Sequence, residues 1–308
     1  MLRKLVQSVF NGFCGIFPGV AFRSVADIQE EVRNAGEKLK MEIVQINSAR
    51  EKEAGSANEK WQKNLAELRY HIHIGDDPSK FISWPVIQRT MFCSSSVCEL
   101  HELQKNQNWL NVYKHALSES PVGNPPHYPW YPWTSGNTVH HLYNLSQLLD
   151  RTDFNLARCN SIIEFGGGYG NTCRILYRMG YTNRYVLYDL PEFSALQGFY
   201  LGVNKLLKDN RIELVSSETE LTSTAQKDLG LLIALWSLSE APLEVRDTFM
   251  KVIGHPEYIL VAYQEQFGGI KNREYFDEFK KKLGAYIWTE YPITHAKGQW
   301  YLVGKRLT

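Results

Sequence analysis

Between Val25 and Ile72, apolar residues recur at helical spacing (Ile28, Val32, Leu39, Ile43, Ile46) against a background of Glu, Lys, Gln and Ala. This pattern predicts two helices, each with one buried stripe and a charged, solvated outer face. Gly55, Ser56 and Asn58 mark the predicted break between them. Another helical region is predicted over Val97 to Leu117. The five prolines between Pro121 and Trp133 then forbid a regular helix or an interior strand, so that segment is predicted to be a loop.

After Leu149 the pattern changes to short apolar runs alternating with amphipathic stretches. Strands are expected at Ser161 to Phe165, Tyr185 to Tyr188, Leu229 to Leu235 and Tyr258 to Ala262, with helices from Asn171, Glu192, Pro242 and about Arg273. Such alternation is the mark of strand–helix units in a parallel sheet. Tyr286 to Tyr291 and Gln299 to Lys305 read as a terminal antiparallel pair. The expected organisation is a helical region over 1–120, a Pro/aromatic-rich linker or lid over 121–150, and an α/β domain over 151–308.

Composition adds limits. The chain has 308 residues, 44% of them hydrophobic, enough for a substantial core. Lys plus Arg (34) nearly equals Asp plus Glu (33), so no overall positive field favours a nucleic-acid partner. Five scattered cysteines fit reduced thiols and a cytoplasmic setting better than a disulfide scaffold. Cys93 and Cys98 read as small apolar residues, since no partner pair stands at zinc-ligand spacing. The mildly apolar stretch from Leu5 to Phe22 is interrupted by Gln7, Ser8, Asn11, Gly12 and Pro18. Neither export nor a membrane span is therefore expected. A homo-oligomer stays open.

The chemistry concentrates where strand meets helix. Ser161-Ile-Ile-Glu164-Phe-Gly166-Gly167-Gly168-Tyr-Gly170-Asn-Thr172 is an apolar strand running through a glycine-rich turn into a helix, which lets a ligand approach main-chain amides. Its spacing, Glu-x-Gly-x-Gly-x-Gly, departs from the dinucleotide fingerprint because Asn171 stands at the last glycine. An acid at the strand's mouth repels a pyrophosphate but suits a ligand bearing an ammonium group, such as the amino-acid end of S-adenosylmethionine. Asp189, in Tyr-Asp189-Leu190-Pro-Glu192 at the end of the next strand, is placed to accept hydrogen bonds from ribose hydroxyls.

These two segments resemble class I S-adenosylmethionine-dependent methyltransferases. A third, Asp228-Leu-Gly-Leu-Leu-Ile-Ala-Leu-Trp236-Ser237-Leu-Ser239-Glu240, resembles the strand-four ending of a sugar O-methyltransferase family found among bacterial polysaccharide genes. Val122-Gly-Asn-Pro125 resembles that group too. The resemblance covers Pro121 to the C-terminus and implies a Rossmann-like seven-stranded domain that binds S-adenosylmethionine at the carboxyl ends of its strands. Glu164, Gly166, Gly167, Gly168, Gly170, Asp189, Leu190, Trp236 and Ser237 are the implied cofactor residues.

Methyl transfer from a sulfonium is an in-line displacement, so the enzyme must align an acceptor oxygen and help remove its proton. Glu240 is the first candidate base, with a helix cap or a substrate hydrogen bond as alternatives. His295, just past the sixth strand, is the second. Candidate acceptor contacts are His127, Trp130 and Trp133 in the proline loop, His141 after it, and Ser239, Gln264 and Asn272. The aromatic loop suits a sugar ring or a lid, and equally a weld between helices and sheet. No pair of acids has a spacing that compels a metal. The expected activity is O-methylation of a sugar or sugar-containing metabolite, or of another small-molecule or glycan acceptor. Methylation of a phenolic or other small natural product, or ligand binding without catalysis, are the alternatives.

Overall fold

The computed structural model describes residues 29–50, 59–93, 97–224 and 229–307. Two long helices, α1 (Gln29–Arg50) and α2 (Glu59–His73), match the predicted pair; the predicted break at Gly55 to Asn58 and the apolar stretch before residue 29 lie outside the described residues. A 3₁₀ segment, Pro78–Ser83, then leads into α3 (Pro85–Thr90) and α4 (Val97–Lys105). The helix predicted over Val97 to Leu117 is therefore broken. Asn106 accepts a hydrogen bond from the Asn108 amide at 2.9 Å, offering the backbone a local alternative to the helix, and a π-turn, Trp109–Tyr113, follows.

The proline segment forms a loop, as predicted, and its tight turn is closed by the Tyr128–Tyr131 bridge. Beyond it, α5 (Gly136–Leu149) starts at Ser135, whose hydroxyl accepts from the Thr138 amide at 3.2 Å. The α/β portion runs β1 (Ser161–Phe165), α6 (Asn171–Arg178), β2 (Arg184–Tyr188), α7 (Pro191–Val203), β3 (Ile212–Val215), α8 (Glu218–Thr224) and β4 (Leu231–Leu235). It continues through α9 (Ser237–Glu240), α10 (Leu243–Ile253), β5 (Tyr258–Gln264), α11 (Asn272–Lys282), β6 (Tyr286–Pro292) and β7 (Gln299–Arg306).

The sheet has seven strands in the order β3-β2-β1-β4-β5-β7-β6. The first five are parallel, and β7 joins β5 antiparallel with Val261 opposite Leu302. This is a doubly wound, Rossmann-like sheet with a terminal hairpin, matching the expected class. All five residues of β1 are buried, as befits a central parallel strand covered on both faces. Three local features differ from expectation. The short edge strand β3 has no counterpart among the predicted strands, α9 precedes the helix predicted at Pro242, and Pro242 itself is the cap of α10 rather than part of its first turn.

One face of the sheet packs against α8, α10 and α11. The other face joins α5, α6, α7 and the N-terminal helices in one continuous apolar cluster, with Val32, Leu39, Leu65, Leu68 and Phe81 packed among Leu187, Leu196 and Tyr200. Arg69 of α2 also pairs with the fully buried Glu192 of α7. Among the described residues, no helix is long and apolar enough to cross a membrane.

Candidate functional site

The carboxyl ends of β1, β2 and β4 open into one cleft whose empty volume is about 900 Å³, counting solvent at its mouth. The strand order reverses at this point of the sheet, between β1 and β4, which is where open α/β sheets bind ligands.

The glycine turn forms the floor. Gly166 has φ +71°, and a Cβ there would lie 2.3 Å from the Cβ of Ser237, so the turn and the end of β4 touch only because residue 166 lacks a side chain. The Ser237 hydroxyl donates to the Phe165 carbonyl and ties the same two segments together. Asp189, at the end of β2, accepts hydrogen bonds from the Gly168 amide (3.1 Å), the Leu190 amide (2.8 Å) and Gln197 Nε2 (2.9 Å). Burial raises its carboxyl to about 7 despite these donors.

Glu240 closes the other end of the cleft. Its Oε2 accepts from the Trp61 indole at 3.2 Å, and its Oε1 accepts from Gln264 Nε2 at 3.3 Å. Gln264 in turn accepts from the Ser239 hydroxyl at 3.0 Å. Burial raises the Glu240 carboxyl above its ordinary range, while Lys60 and the two neutral donors act in the opposite direction. Trp236 lines the same cleft, at φ +64°. A bulky residue holds a positive φ only where its surroundings fix it. Here the indole donates to Gln299 at 2.7 Å and stacks on His140, with ring centroids 5.3 Å apart.

Of the residues expected at the cofactor, Gly166, Gly168, Asp189, Leu190, Trp236 and Ser237 line this cleft, and so does Glu240. Gly167 and Gly170 shape the turn from behind: a Cβ on Gly167 would meet Leu187 at 2.3 Å, and Gly170 caps α6 at φ +92°. Glu164 stands elsewhere than expected. It is 3% exposed and lies beneath the turn, where its Oε2 accepts from Tyr185 OH at 2.7 Å. Burial raises its carboxyl to about 7, against the hydrogen bonds from Tyr185 and Thr172.

His295 is also displaced from its expected place, because its Nε2 lies 2.7 Å from Glu99, away from the cleft wall. The acceptor candidates scatter. His127 is held by the Pro132 carbonyl at 2.8 Å, Trp130 is 68% exposed, and the Trp133 carbonyl accepts from the Glu119 amide at 3.3 Å. None of these three lines the cleft. His141 lies behind the glycine turn, 3.2 Å from Asn171 Nδ2, and burial depresses it to about 3. Asn272 is buried as an acceptor for Arg246 at 2.9 Å. Ser239 and Gln264 act on the cleft through Glu240.

Several cleft residues escaped the sequence reading: Trp61 from α2, Thr90 and Met91 at the end of α3, and Tyr188, Phe193 and Pro242 from the α/β portion. Trp61 comes from a stretch whose helical spacing does not signal which aromatic residue meets a distant strand end, and Thr90 and Met91 lie between the two predicted helical regions.

No family model matches the sequence, and no curated protein matches it. Similar solved structures include the methyltransferase domain of bacterial CtHen1, at 14% identity and TM-score 0.40, covering 54% of this chain and 97% of that one. An rRNA methylase from Streptococcus thermophilus is similar at 12% identity and TM-score 0.38, covering 56% and 96%. Magnesium protoporphyrin IX methyltransferase from Synechocystis, with bound SAH, is similar at 13% identity and TM-score 0.39, covering 54% and 83%.

Proposed function

We propose that this chain is an S-adenosylmethionine-dependent O-methyltransferase whose acceptor is a hydroxyl of a sugar or sugar-containing metabolite. The observation that carries the reading is the pairing, in one cleft, of a half-buried carboxyl beside the glycine turn (Asp189) with a second carboxyl (Glu240) held by two neutral donors. Among the described residues, this wall includes two acids and no lysine, arginine or histidine. Such a wall favours a cationic ligand and a neutral acceptor over a pyrophosphate.

The residues fit the cofactor. Gly168 has open space on the cleft side, where a Cβ would meet nothing nearer than the Met91 sulfur at 3.4 Å, and the half-buried Asp189 carboxylate lines the cleft as an acceptor for a ribose diol. Bound S-adenosylmethionine would supply an electrophilic methyl group for in-line transfer. Glu240 takes the acceptor's proton on a carboxylate oxygen, its raised affinity for protons bringing it nearer neutral pH. Trp61 and Gln264 fix the plane of that carboxylate, and Trp236 with Phe193 shields the reaction from water.

The sugar assignment rests on the resemblance around Trp236 to Glu240 and on the lack of cationic side chains among the described residues of the wall. The aromatic side chains Trp61, Tyr188 and Phe193 favour a flat phenolic acceptor as the second reading. Transfer of labelled methyl from S-adenosylmethionine to a panel of sugars, nucleotide sugars and phenols separates the two. Saturable NAD binding without any response to S-adenosylhomocysteine would overturn both.

A further inference from the structure

Outside the cleft, a dense cluster of ionisable side chains surrounds Glu99 of α4. This carboxylate is 1% exposed, and its Oε1 lies 2.8 Å from His140 Nδ1 and 2.7 Å from His295 Nε2. Among the described residues, no group of three or more His, Cys, Asp and Glu side chains is arranged to hold a metal ion. The two imidazoles differ in what else they touch. His295 sets its ring edge-on to Tyr143, with centroids 5.7 Å apart. His140, on α5, lies nearly flat on Trp236, at 5.3 Å and an interplanar angle of 27°.

Trp236 is a strained residue of the cleft wall. Its φ of +64° and ψ of −33° form a combination that a bulky residue rarely adopts, and such outliers persist only where neighbours hold them. Contacts from three elements do so. The Trp236 amide donates to the Ala262 carbonyl of β5 at 2.7 Å, the indole donates to Gln299 of β7 at 2.7 Å, and the His140 ring of α5 covers the indole. The consequence of this conformation appears one turn on. The Trp236 carbonyl accepts from the Ser239 hydroxyl at 2.6 Å and from the Glu240 amide at 3.2 Å. The short helix α9 therefore hangs from Trp236, and the direction of the Glu240 side chain follows from how that one residue is turned.

We propose, building on the role given to Glu240 above, that His140 is a positioning residue for methyl transfer: braced by Glu99, its ring pins Trp236 in the strained conformation that aims Glu240 into the cleft. A buried carboxylate demands donors, and an imidazole whose Nδ1 is committed to that oxygen has its ring plane fixed. Two of the clamps on Trp236 belong to the sheet itself. His140 brings the third from a helix, so the aim of Glu240 depends on how α4 and α5 pack against the sheet.

Comparing His140→Asn with His295→Ala in the full-length chain tests this. Asparagine keeps a donor near the Nδ1 position for Glu99 and removes the stacked ring, whereas His295→Ala removes a donor from the same carboxylate and leaves the ring in place. Hydrogen–deuterium exchange at the Glu240 and Ala241 amides should be about tenfold faster in His140→Asn and unchanged in His295→Ala. Turnover should fall about 10- to 100-fold in His140→Asn, with S-adenosylhomocysteine affinity and acceptor KM within about threefold of the parent. His140→Gln takes its place if the asparagine variant does not fold. In a Glu240→Gln background the same change should cost almost no further turnover, because residues that act through one group are not additive.

Unchanged exchange at Glu240 and Ala241, equal losses in His295→Ala, or a full additional loss on top of Glu240→Gln would each overturn the proposal. Should even the parent methylate no acceptor, the failure is that of the proposed function, and the exchange comparison still decides whether His140 holds the turn.

Discussion

The Trp61 indole donates to the Glu240 carboxylate at 3.2 Å across 179 residues of sequence. An N-terminal helix thereby reaches the Glu240 end of the cleft, and its indole lowers the proton affinity of that acid. Trp61→Phe keeps the ring against Phe193, with which it makes an edge contact at 5.6 Å, and removes only the donor. Because that donor lowers the Glu240 pKa, its loss should move the acidic limb of the pH–rate profile upward. Turnover near neutral pH should fall by up to roughly tenfold, the scale of one net hydrogen bond. An unmoved limb would show that the contact plays no part in orienting the base.

Glu240→Gln should retain affinity for S-adenosylhomocysteine while turnover drops by about 10² to 10⁴, as for the loss of a general base. A rise in acceptor KM alone would mark Glu240 as a binding residue. His295→Ala is the contrasting variant: with its imidazole on Glu99 rather than in the cleft, turnover should stay within a few-fold of the parent. A dead His295→Ala beside an active Glu240→Gln would reverse the assignment.

Asp189 should couple cofactor binding to protons. Burial raises its carboxyl to about 7 in the ligand-free protein, and hydroxyls donating to the carboxylate favour its charged form. Binding of S-adenosylhomocysteine should therefore release protons near pH 7 and tighten as pH rises from about 6 to 8. Calorimetry in buffers of different ionisation enthalpy measures this directly. Asp189→Ala should abolish the pH dependence and weaken binding by about 1.5–3 kcal/mol per lost bond.

Glu164 predicts a stability effect of definite sign. Its folded value, about 7, lies above its ordinary 4.5, so between those values the folded protein keeps a proton that the unfolded chain has released. Its contribution to stability is full below pH 4.5 and is lost as pH rises through 7. Glu164→Gln should accordingly raise Tm at pH 8 and leave it nearly unchanged at pH 4.5. Equal shifts at both pH values would remove burial of the carboxyl as the cause.

Gly166→Ala should destabilise by about 1–3 kcal/mol, since the new methyl would lie 2.3 Å from the Ser237 Cβ at a positive φ. Denaturant unfolding measures the cost. Ser237→Gly in the same chain should restore only the steric part.

The sheet was legible because parallel strands buried on both faces are short apolar runs, and each is followed here by a helix signal. β3 escaped because four residues with two half-buried positions carry too little pattern. The glycine turn and Asp189 were legible because backbone demands leave a sequence trace. Glu164 illustrates the limit: a strand position fixes which face a side chain takes, but Tyr185 decided that its carboxylate would stay under the turn. Trp61, Met91 and the Glu99 cluster depend on packing between segments far apart in sequence, for which spacing holds no information.

Because the N-terminal helices share one apolar cluster with the glycine-turn face of the sheet, neither can be cut away without leaving its partner sticky. The described parts should melt as a unit. An exchange of the helical region for a foreign one would have to bring side chains that fit around Leu187, Leu196 and Tyr200 and an indole at the right height for Glu240. Helices and sheet are thereby bound to diverge in step, and acceptor preference cannot drift in one without repacking in the other.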